Sequence, residues 1–263
     1  MIFASPSISR LILSARCTGV DDQLTALGLD EVFRFACGPE VACFNDCCRD
    51  LIQALTPYDA LRLKRGLGVP SGRFLAQFTQ RHTGPGSGLP VVTLAPADPQ
   101  TLACPFVSAA GCRVYPDRPA SCRTYPLVRS VRRSRQTGVA VASYFILTEP
   151  HCRGFAGNRT QTARQWTAEQ GIGVYNTEND RMLDVISLKN GLRRGPLSPS
   201  SAERVYTALY DLDEFRRRLF DDGVAVESRV GEELLEAARH DDLALLRVGL
   251  EWVKQLLVKT SGH

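Results

Sequence analysis

Residues 37–48 read CGPEVACFNDCC and hold four of the nine cysteines of this 263-residue chain. Two of the four, Cys47 and Cys48, are neighbours. The N-terminal residues do not resemble a secretory segment, because Arg10 interrupts their short apolar run and Arg16 precedes Cys17. Without such a segment, cysteines at this density favour thiolates bound to a metal over disulfides. The stretch therefore predicts a metal site around which the fold is organised.

A second group of cysteines lies in CPFVSAAGCRVYPDRPASCRTYP at residues 104–126 and in HCRG at residues 151–154. Four prolines close to these cysteines exclude a continuous helix and favour extended, turn-rich backbone. Several thiolates on one metal would stabilise such irregular backbone, because the binding free energy becomes folding free energy.

Leaving out Cys17, we predict eight metal ligands in two groups of four: Cys37, Cys43, Cys47 and Cys48, then Cys104, Cys112, Cys122 and Cys152. Eight thiolates suffice for two four-coordinate centres, or for one cluster with additional ligands. Adjacent side chains diverge by about 100° on a helix and point to opposite faces of a strand. We therefore expect sites mixed between the groups, with Cys47 and Cys48 in different ligand sets or only one of them bound.

The cysteine spacing does not identify the metal. The sequence has neither the C-x2-C pairs typical of zinc sites nor the C-x2-C-x2-C run of bacterial ferredoxins. His151, beside Cys152, could be a ligand, a proton shuttle or a hydrogen-bond donor to a ligand. Three arginines next to the second group would either offset the negative charge of a thiolate centre or lie on the surface: Arg113, Arg118 and Arg123.

Two kinds of local pattern flank the cysteines. Asp46 as an N-cap predicts a helix over CCRDLIQAL at residues 47–55, with Cys47 and Cys48 in its first turn. Thr56-Pro57 predicts the start of the next helix, and Ser71 predicts the cap of a third. The apolar residues 139–147, VAVASYFIL, predict a buried strand that ends just before His151 and Cys152.

Further helices are predicted over residues 160–170 and 177–188. The stretch NGLRRGPLSPS at residues 190–200 is typical of a linker, and apolar residues at helical spacing follow it, with no cysteine. We predict an α+β fold that is mostly helical, with a few short strands and proline-rich irregular segments organised by a cysteine-ligated metal centre. The expected divisions are a weakly structured segment 1–30, a metal-binding domain 31–190 and a helical C-terminal extension 191–263.

Composition limits the class of partner. A hydrophobic content of 44%, a charged content of 23% and a net charge of +4 are typical of a soluble globular protein. A charge this small does not favour nucleic acid. The basic run Arg129, Arg132, Arg133 and Arg135 lacks interleaved aromatic residues and predicts a solvated hairpin tip. No apolar run approaches the length of a membrane span, so we expect a cytoplasmic protein without a membrane partner.

The three cysteine-bearing stretches resemble the YkgJ-type cysteine-cluster family, described as a zinc- or iron-chelating domain and as an iron–sulfur protein. The resemblance is most specific in the second group, where Cys-Pro-Phe, Cys-x-Val-Tyr, Arg-Pro, Cys-Arg and Tyr-Pro occur in family order. It covers residues 33–188. The first group departs from the family pattern, because five residues separate Cys37 from Cys43 and three separate Cys43 from Cys47.

This resemblance implies metal or iron–sulfur binding with a redox role and an unidentified protein or redox partner. The favoured cofactor is an iron–sulfur cluster, with zinc or mononuclear iron as the alternative. A related cysteine cluster occurs in a flagellin lysine methylase, which leaves open a metal-dependent enzyme that modifies protein side chains. A structural zinc module that serves as a scaffold for partners is the third hypothesis. No HExxH, G-x-S-x-G or P-loop motif occurs in the sequence.

Overall fold

The computed structural model describes residues 23–49, 52–134, 136, 139–192, 195–223 and 230–261. By its internal contacts the chain divides into two compact units. The cysteine unit comprises Met1–Asp50, Phe106–Tyr115 and Ala120–Val174, and the helical unit comprises Leu51–Pro105, Pro116–Pro119 and Tyr175–His263. The domain boundaries predicted at residues 30 and 190 stay a prediction, and most of the segment 1–30 lies outside the described residues.

The described residues form short strands and mostly short helices, so the predicted α+β, mostly helical fold is confirmed. The strands are β1 (Leu24–Leu27), β2 (Val32–Arg34), β3 (Ala54–Leu55), β4 (Thr79–Thr83), β5 (Pro90–Leu94), β6 (Val107–Ser108), β7 (Gly111–Cys112), β8 (Leu127–Arg133), β9 (Ala140–Leu147) and β10 (Thr160–Thr162). The α-helices are Pro57–Leu67, Ser71–Phe78, Ala120–Thr124, Ala163–Glu169, Gly173–Leu192, Pro199–Leu209, Leu212–Phe220, Glu232–Ala237 and Asp242–Ser261. Short 3-10 helices cover Asp46–Cys48, Tyr115–Asp117 and Gly154–Ala156.

The cysteine unit is built from antiparallel strands. Its largest sheet has the order β1-β9-β8, and the pairs β10-β2 and β6-β7 form two smaller ribbons. Six buried residues form the core beside these strands: Leu27, Phe33, Phe35, Leu127, Ala163 and Trp166. The Trp166 ring lies edge-on to Phe35, and its Nε1 donates to the carbonyl of Thr124 (3.0 Å). Trp166 therefore packs in the core.

The helical unit packs its helices beside a small antiparallel sheet of order β3-β5-β4. Its first helix begins as the sequence predicts, because Thr56 and Asp59 form a reciprocal capping box and Pro57 opens the first turn. The predicted apolar stripes of the C-terminal helices are largely buried: Val205, Leu209, Leu212, Phe215, Leu219, Leu246, Leu250, Val253 and Leu257. The predicted helical C-terminal part is therefore confirmed within the described residues.

Ion pairs connect three helices of the helical unit, and a hydrogen bond connects a fourth to them. The Lys64 ammonium is 9% exposed and lies 3.0 Å from Asp213 Oδ1 and 3.1 Å from Asp242 Oδ2. Asp213 also accepts from the backbone N–H of Ser71 (2.6 Å), and Asp242 accepts from Arg216 Nη2 (2.5 Å). Burial acts to raise the pKa of both carboxyl groups, but these hydrogen bonds and the Lys64 charge outweigh it, so both pKa values are lowered.

This network predicts acid sensitivity. A carboxyl whose pKa is lower in the folded than in the unfolded chain stabilises the fold above its unfolded pKa of about 4, and this contribution is lost as pH falls further. We expect the midpoint of urea unfolding to be constant between pH 7 and pH 5 and to fall below about pH 4. The variant Asp242→Asn should unfold more easily at pH 7 and show a smaller acid dependence. An equal acid dependence in the variant and the wild type would contradict this assignment.

Three local predictions were wrong. The helix predicted over residues 47–55 is a three-residue 3-10 helix, Asp46–Cys48, and Ala54–Leu55 form β3 instead. Ile52 is 76% exposed, and Asp50 and Leu51 lie outside the described residues. The chain there pairs with β5 through β3, a long-range contact that helical periodicity cannot reveal. Ser71 is the first helical residue, after an N-cap at Pro70, because its hydroxyl bonds to Asp211 and Asp213 instead.

The third wrong prediction concerns residues 139–147, which were predicted to form a buried strand. It forms as β9, but Ala140–Ala142 are exposed and the remainder is half-buried, since the outer part of the β8–β9 hairpin extends past the core. Arg132 and Arg133 lie on β8 near the hairpin tip, as predicted, whereas Arg129 lies further along the strand opposite Tyr144. Arg135 lies outside the described residues. No helix in the described ranges is both long and apolar enough to cross a membrane.

Candidate metal centre

One cavity of the cysteine unit brings together four of the eight predicted ligands. Its volume is about 30 Å³. Cys37, Cys43 and Cys47 come from the first group and Cys152 from the second, and His151 lies beside them. The remaining lining residues are Phe35, Ala36, Val41, Phe44, Tyr125 and Gly154. Residues more than one hundred positions apart in sequence therefore meet in one place.

The β2–β10 ribbon positions the first of these cysteines. Arg34 pairs with Thr160, and the pairing continues as Phe35 N–H donates to the carbonyl of Arg159 (3.0 Å). Ala36 N–H then donates to the carbonyl of Gly154 (2.9 Å), so the next residue, Cys37, lies beside the segment that carries Cys152. The buried Gln161 side chain donates to the Phe35 carbonyl (2.8 Å) and fixes the end of the ribbon.

Gly154 lets the two cysteine-bearing segments approach each other. A Cβ atom added there would lie 2.5 Å from Phe35 Cε2 and 2.6 Å from the Ala36 carbonyl oxygen. Neither neighbour can move freely, because Phe35 is 1% exposed and the carbonyl belongs to the backbone. The absence of a side chain at Gly154 therefore sets how closely Cys37 and Cys152 can lie.

The second link runs from the loop after Cys37 to the same segment. The backbone N–H of Arg153 donates to Cys43 Sγ (3.1 Å), so a cysteine of the first group accepts a hydrogen bond from the residue next to Cys152. Asn45 adopts a left-handed backbone (φ 72°), and its side chain donates to the carbonyl of Ser108 (3.0 Å) on the β6–β7 ribbon. These contacts hold the loop between Cys43 and Cys47 in place.

The thiols that line the cavity differ in their acidity. Partial burial raises the pKa of the Cys37 thiol to about 11, together with the negative charges of Cys47, Cys43 and Cys152. By contrast, the pKa of Cys47 is lowered to about 7, chiefly because the Cys48 thiol hydrogen-bonds to it. If all four thiols were ionised, their charges would repel one another, and a bound cation would offset that repulsion.

Two further polar side chains border the cavity. His151 Nε2 lies 3.8 Å from Glu149 Oε2, and the His151 side chain is 45% exposed. Burial raises the pKa of the Tyr125 phenol well above its usual range, with contributions from Cys152 and Glu149. The sequence analysis did not identify Tyr125 as a site residue. Its position in the Cys-Arg-Thr-Tyr-Pro motif, three residues after Cys122, was the one feature that could have indicated it.

The other four predicted ligands are not among the residues that line this cavity. Cys48 ends the Asp46–Cys48 helix, Cys112 lies on β7, and Cys122 lies on the helix Ala120–Thr124, all in the cysteine unit. Cys104 belongs to the helical unit. Their assignment as ligands stays a prediction.

Of the arginines near the second group, Arg113 is exposed, Arg118 is buried in the helical unit, and Arg123 donates to the Gln170 carbonyl (2.7 Å). Their role in offsetting charge also stays a prediction.

The donor chemistry of the cavity fits a thiophilic metal, because four sulfurs and one imidazole border it. As the side chains stand in the described residues, no three His, Cys, Asp or Glu groups converge tightly enough to hold a single ion. A mononuclear ion would therefore need cysteine side chains to change rotamer, since zinc requires each sulfur about 2.3 Å away.

Comparison with known proteins agrees with this chemistry. The family model CxxCxxCC, described as "Putative zinc- or iron-chelating domain", matches residues 36–162. All eight cysteines of the two groups fall within the matched range. No curated protein and no solved structure matches the chain.

Proposed function

We propose that Cys37, Cys43, Cys47 and Cys152 hold the principal metal centre of this chain, whose residues 36–162 match the model of a zinc- or iron-chelating domain family. One observation carries the proposal: these four thiols, from two distant stretches of sequence, line a single cavity. His151 borders the same cavity and is available as a further ligand or as a hydrogen-bond donor.

We propose an iron–sulfur cluster as the occupant. The four sulfurs border a cavity instead of meeting at one point, and a cluster takes its thiolates at separate iron atoms of a larger body. Cys37 and Cys47 are exposed, so one side of the centre would be open to a partner protein that exchanges electrons with it. A redox role in the reducing interior of the cell, where thiols persist, is the function that follows.

A structural zinc site is the second candidate. Its support is the position of the ligands, because a tetrahedral ion would fasten the end of β2 to the segment that carries Cys152. Backbone hydrogen bonds from Ala36 and Arg153 already connect these segments. Four-thiolate zinc sites contribute directly to folding free energy.

Anaerobic purification followed by iron, zinc and sulfide analysis with visible absorption tests the proposal. We expect iron and inorganic sulfide together with a broad visible absorption that disappears on oxidation in air. A colourless protein with stoichiometric zinc after iron-replete growth would contradict the iron–sulfur assignment in favour of the zinc site. Protein that binds neither metal after reconstitution would contradict both candidates.

A further inference from the structure

The hydroxyl group of Tyr125 is buried in the wall of the cavity, near Cys152 and Glu149 but without a hydrogen bond of normal geometry to any described residue. A buried hydroxyl in this state costs about 1–3 kcal/mol relative to a satisfied one. Such groups are uncommon in folded proteins and call for an explanation, such as an absent ion or ligand. The cavity that the ring borders supplies that explanation.

The ring is held firmly in place, so the hydroxyl has little freedom to find another partner. The planes of the Tyr125 and Phe35 rings are inclined at 70°, and the ring centroids are 6.0 Å apart. Phe35 in turn packs edge-on against Trp166 and Phe155. The backbone N–H of Tyr125 donates to the Ser121 carbonyl (3.0 Å). A hydroxyl fixed in this way is preorganised toward whatever occupies the cavity.

Packing alone does not require a tyrosine here. The neighbouring aromatic side chains include Phe33, Phe35 and Phe155, which contribute apolar area without a hydroxyl. A phenol remains protonated far above neutral pH and therefore acts as a donor. Metal-bound thiolates are acceptors for such donors, and Cys152 packs against the same aromatic core as Tyr125.

We propose that Tyr125 is a positioning residue of the metal centre, whose hydroxyl donates a hydrogen bond to the metal-bound thiolate of Cys152. The inference rests on the proposed function, since metal bound at this cavity would hold Cys152 as a thiolate and make it the stronger acceptor. The hydrogen bond would orient the Cys152 side chain toward the metal and withdraw electron density from its sulfur.

Tyr125→Phe tests this inference, with Tyr144→Phe as the matched control. Tyr144 also packs against the aromatic core but does not line the cavity. The measurements are metal affinity by chelator competition, the sulfur-to-metal charge-transfer band of the Co²⁺-substituted protein, and urea unfolding of the metal-free protein.

Tyr125→Phe should weaken metal affinity by about tenfold. It should also move the charge-transfer band to longer wavelength, because a thiolate that loses a hydrogen bond is more easily ionised. The metal-free variant should be at least as stable as the wild type, since an unsatisfied hydroxyl is removed. Tyr144→Phe should leave affinity and band unchanged.

If Tyr125→Phe binds metal with wild-type affinity and its charge-transfer band does not shift, this inference is overturned and the proposed function is not. Equal weakening in both variants would also overturn it, because the effect would then come from the aromatic core. If the wild-type protein neither binds Co²⁺ nor assembles an iron–sulfur cluster on anaerobic reconstitution, the proposed function and this inference are overturned together.

Discussion

Gly154→Ala is expected to destabilise the metal-free protein by about 2–3 kcal/mol and to abolish stable metal binding. The added methyl group would overlap Phe35 and the Ala36 carbonyl oxygen, at 2.5 and 2.6 Å. Relief requires the Gly154 segment to move away from Ala36, which breaks the Ala36–Gly154 hydrogen bond and separates Cys37 from Cys152. The measurements are urea unfolding of the metal-free protein and metal content after desalting.

Gly157→Ala is the matched control three residues further on. A Cβ atom there would lie 3.4 Å from the Ala36 methyl group, an ordinary contact, and its φ of −71° suits alanine. This variant should keep both stability and metal. If Gly154→Ala retains wild-type metal content, the close approach of the two segments is not needed for the centre, and the assignment of Cys37 and Cys152 to one site loses its structural basis.

Cys47→Ser is expected to lose the metal of the cavity, whereas Cys48→Ser keeps it. Cys47 lines the cavity and Cys48 does not, although the two are adjacent. The Cys48 thiol hydrogen-bonds to Cys47 from outside the cavity lining, so we expect it to support the Cys47 ligand and not to bind the metal itself. The serine that replaces Cys48 can still donate a hydrogen bond to Cys47, which preserves the local environment.

Metal content per chain and visible absorption, measured on both variants after identical anaerobic purification, check this contrast. Equal and complete loss of metal from both variants would contradict it, because Cys48 would then be as necessary to the cavity as Cys47. Loss from Cys48→Ser alone would place the centre elsewhere in the chain.

The sequence predicted the chemistry of the site better than its geometry. Cysteine density and the prolines around the second group were sufficient to predict a thiolate site, since both features are local in sequence. Which cysteines meet could not be predicted, because it depends on the long-range β2–β10 pairing and on the absence of a side chain at Gly154. Backbone geometry predicts that Cys47 and Cys48 belong to different ligand sets or that only one of them is bound, and this stays a prediction.

The helical part was predictable for a different reason. The Thr56–Asp59 capping box and the apolar stripes of the C-terminal helices depend on residues three or four positions apart. Helical periodicity wrongly predicted a helix after Cys48, because the conformation of Ala54–Leu55 is determined by its pairing with β5 and not by its own sequence. Tyr125 escaped notice because an aromatic residue in a motif gives no sign that its hydroxyl borders a cavity.

Anomalous X-ray diffraction at the metal absorption edge, on crystals of the anaerobically purified protein, tests the central claim most directly. We expect the anomalous peak in the cavity, bonded to the Sγ atoms of Cys37, Cys43, Cys47 and Cys152. A single metal ion bonded to both Cys47 and Cys48, or a peak with none of the four cavity sulfurs as a ligand, would contradict the account.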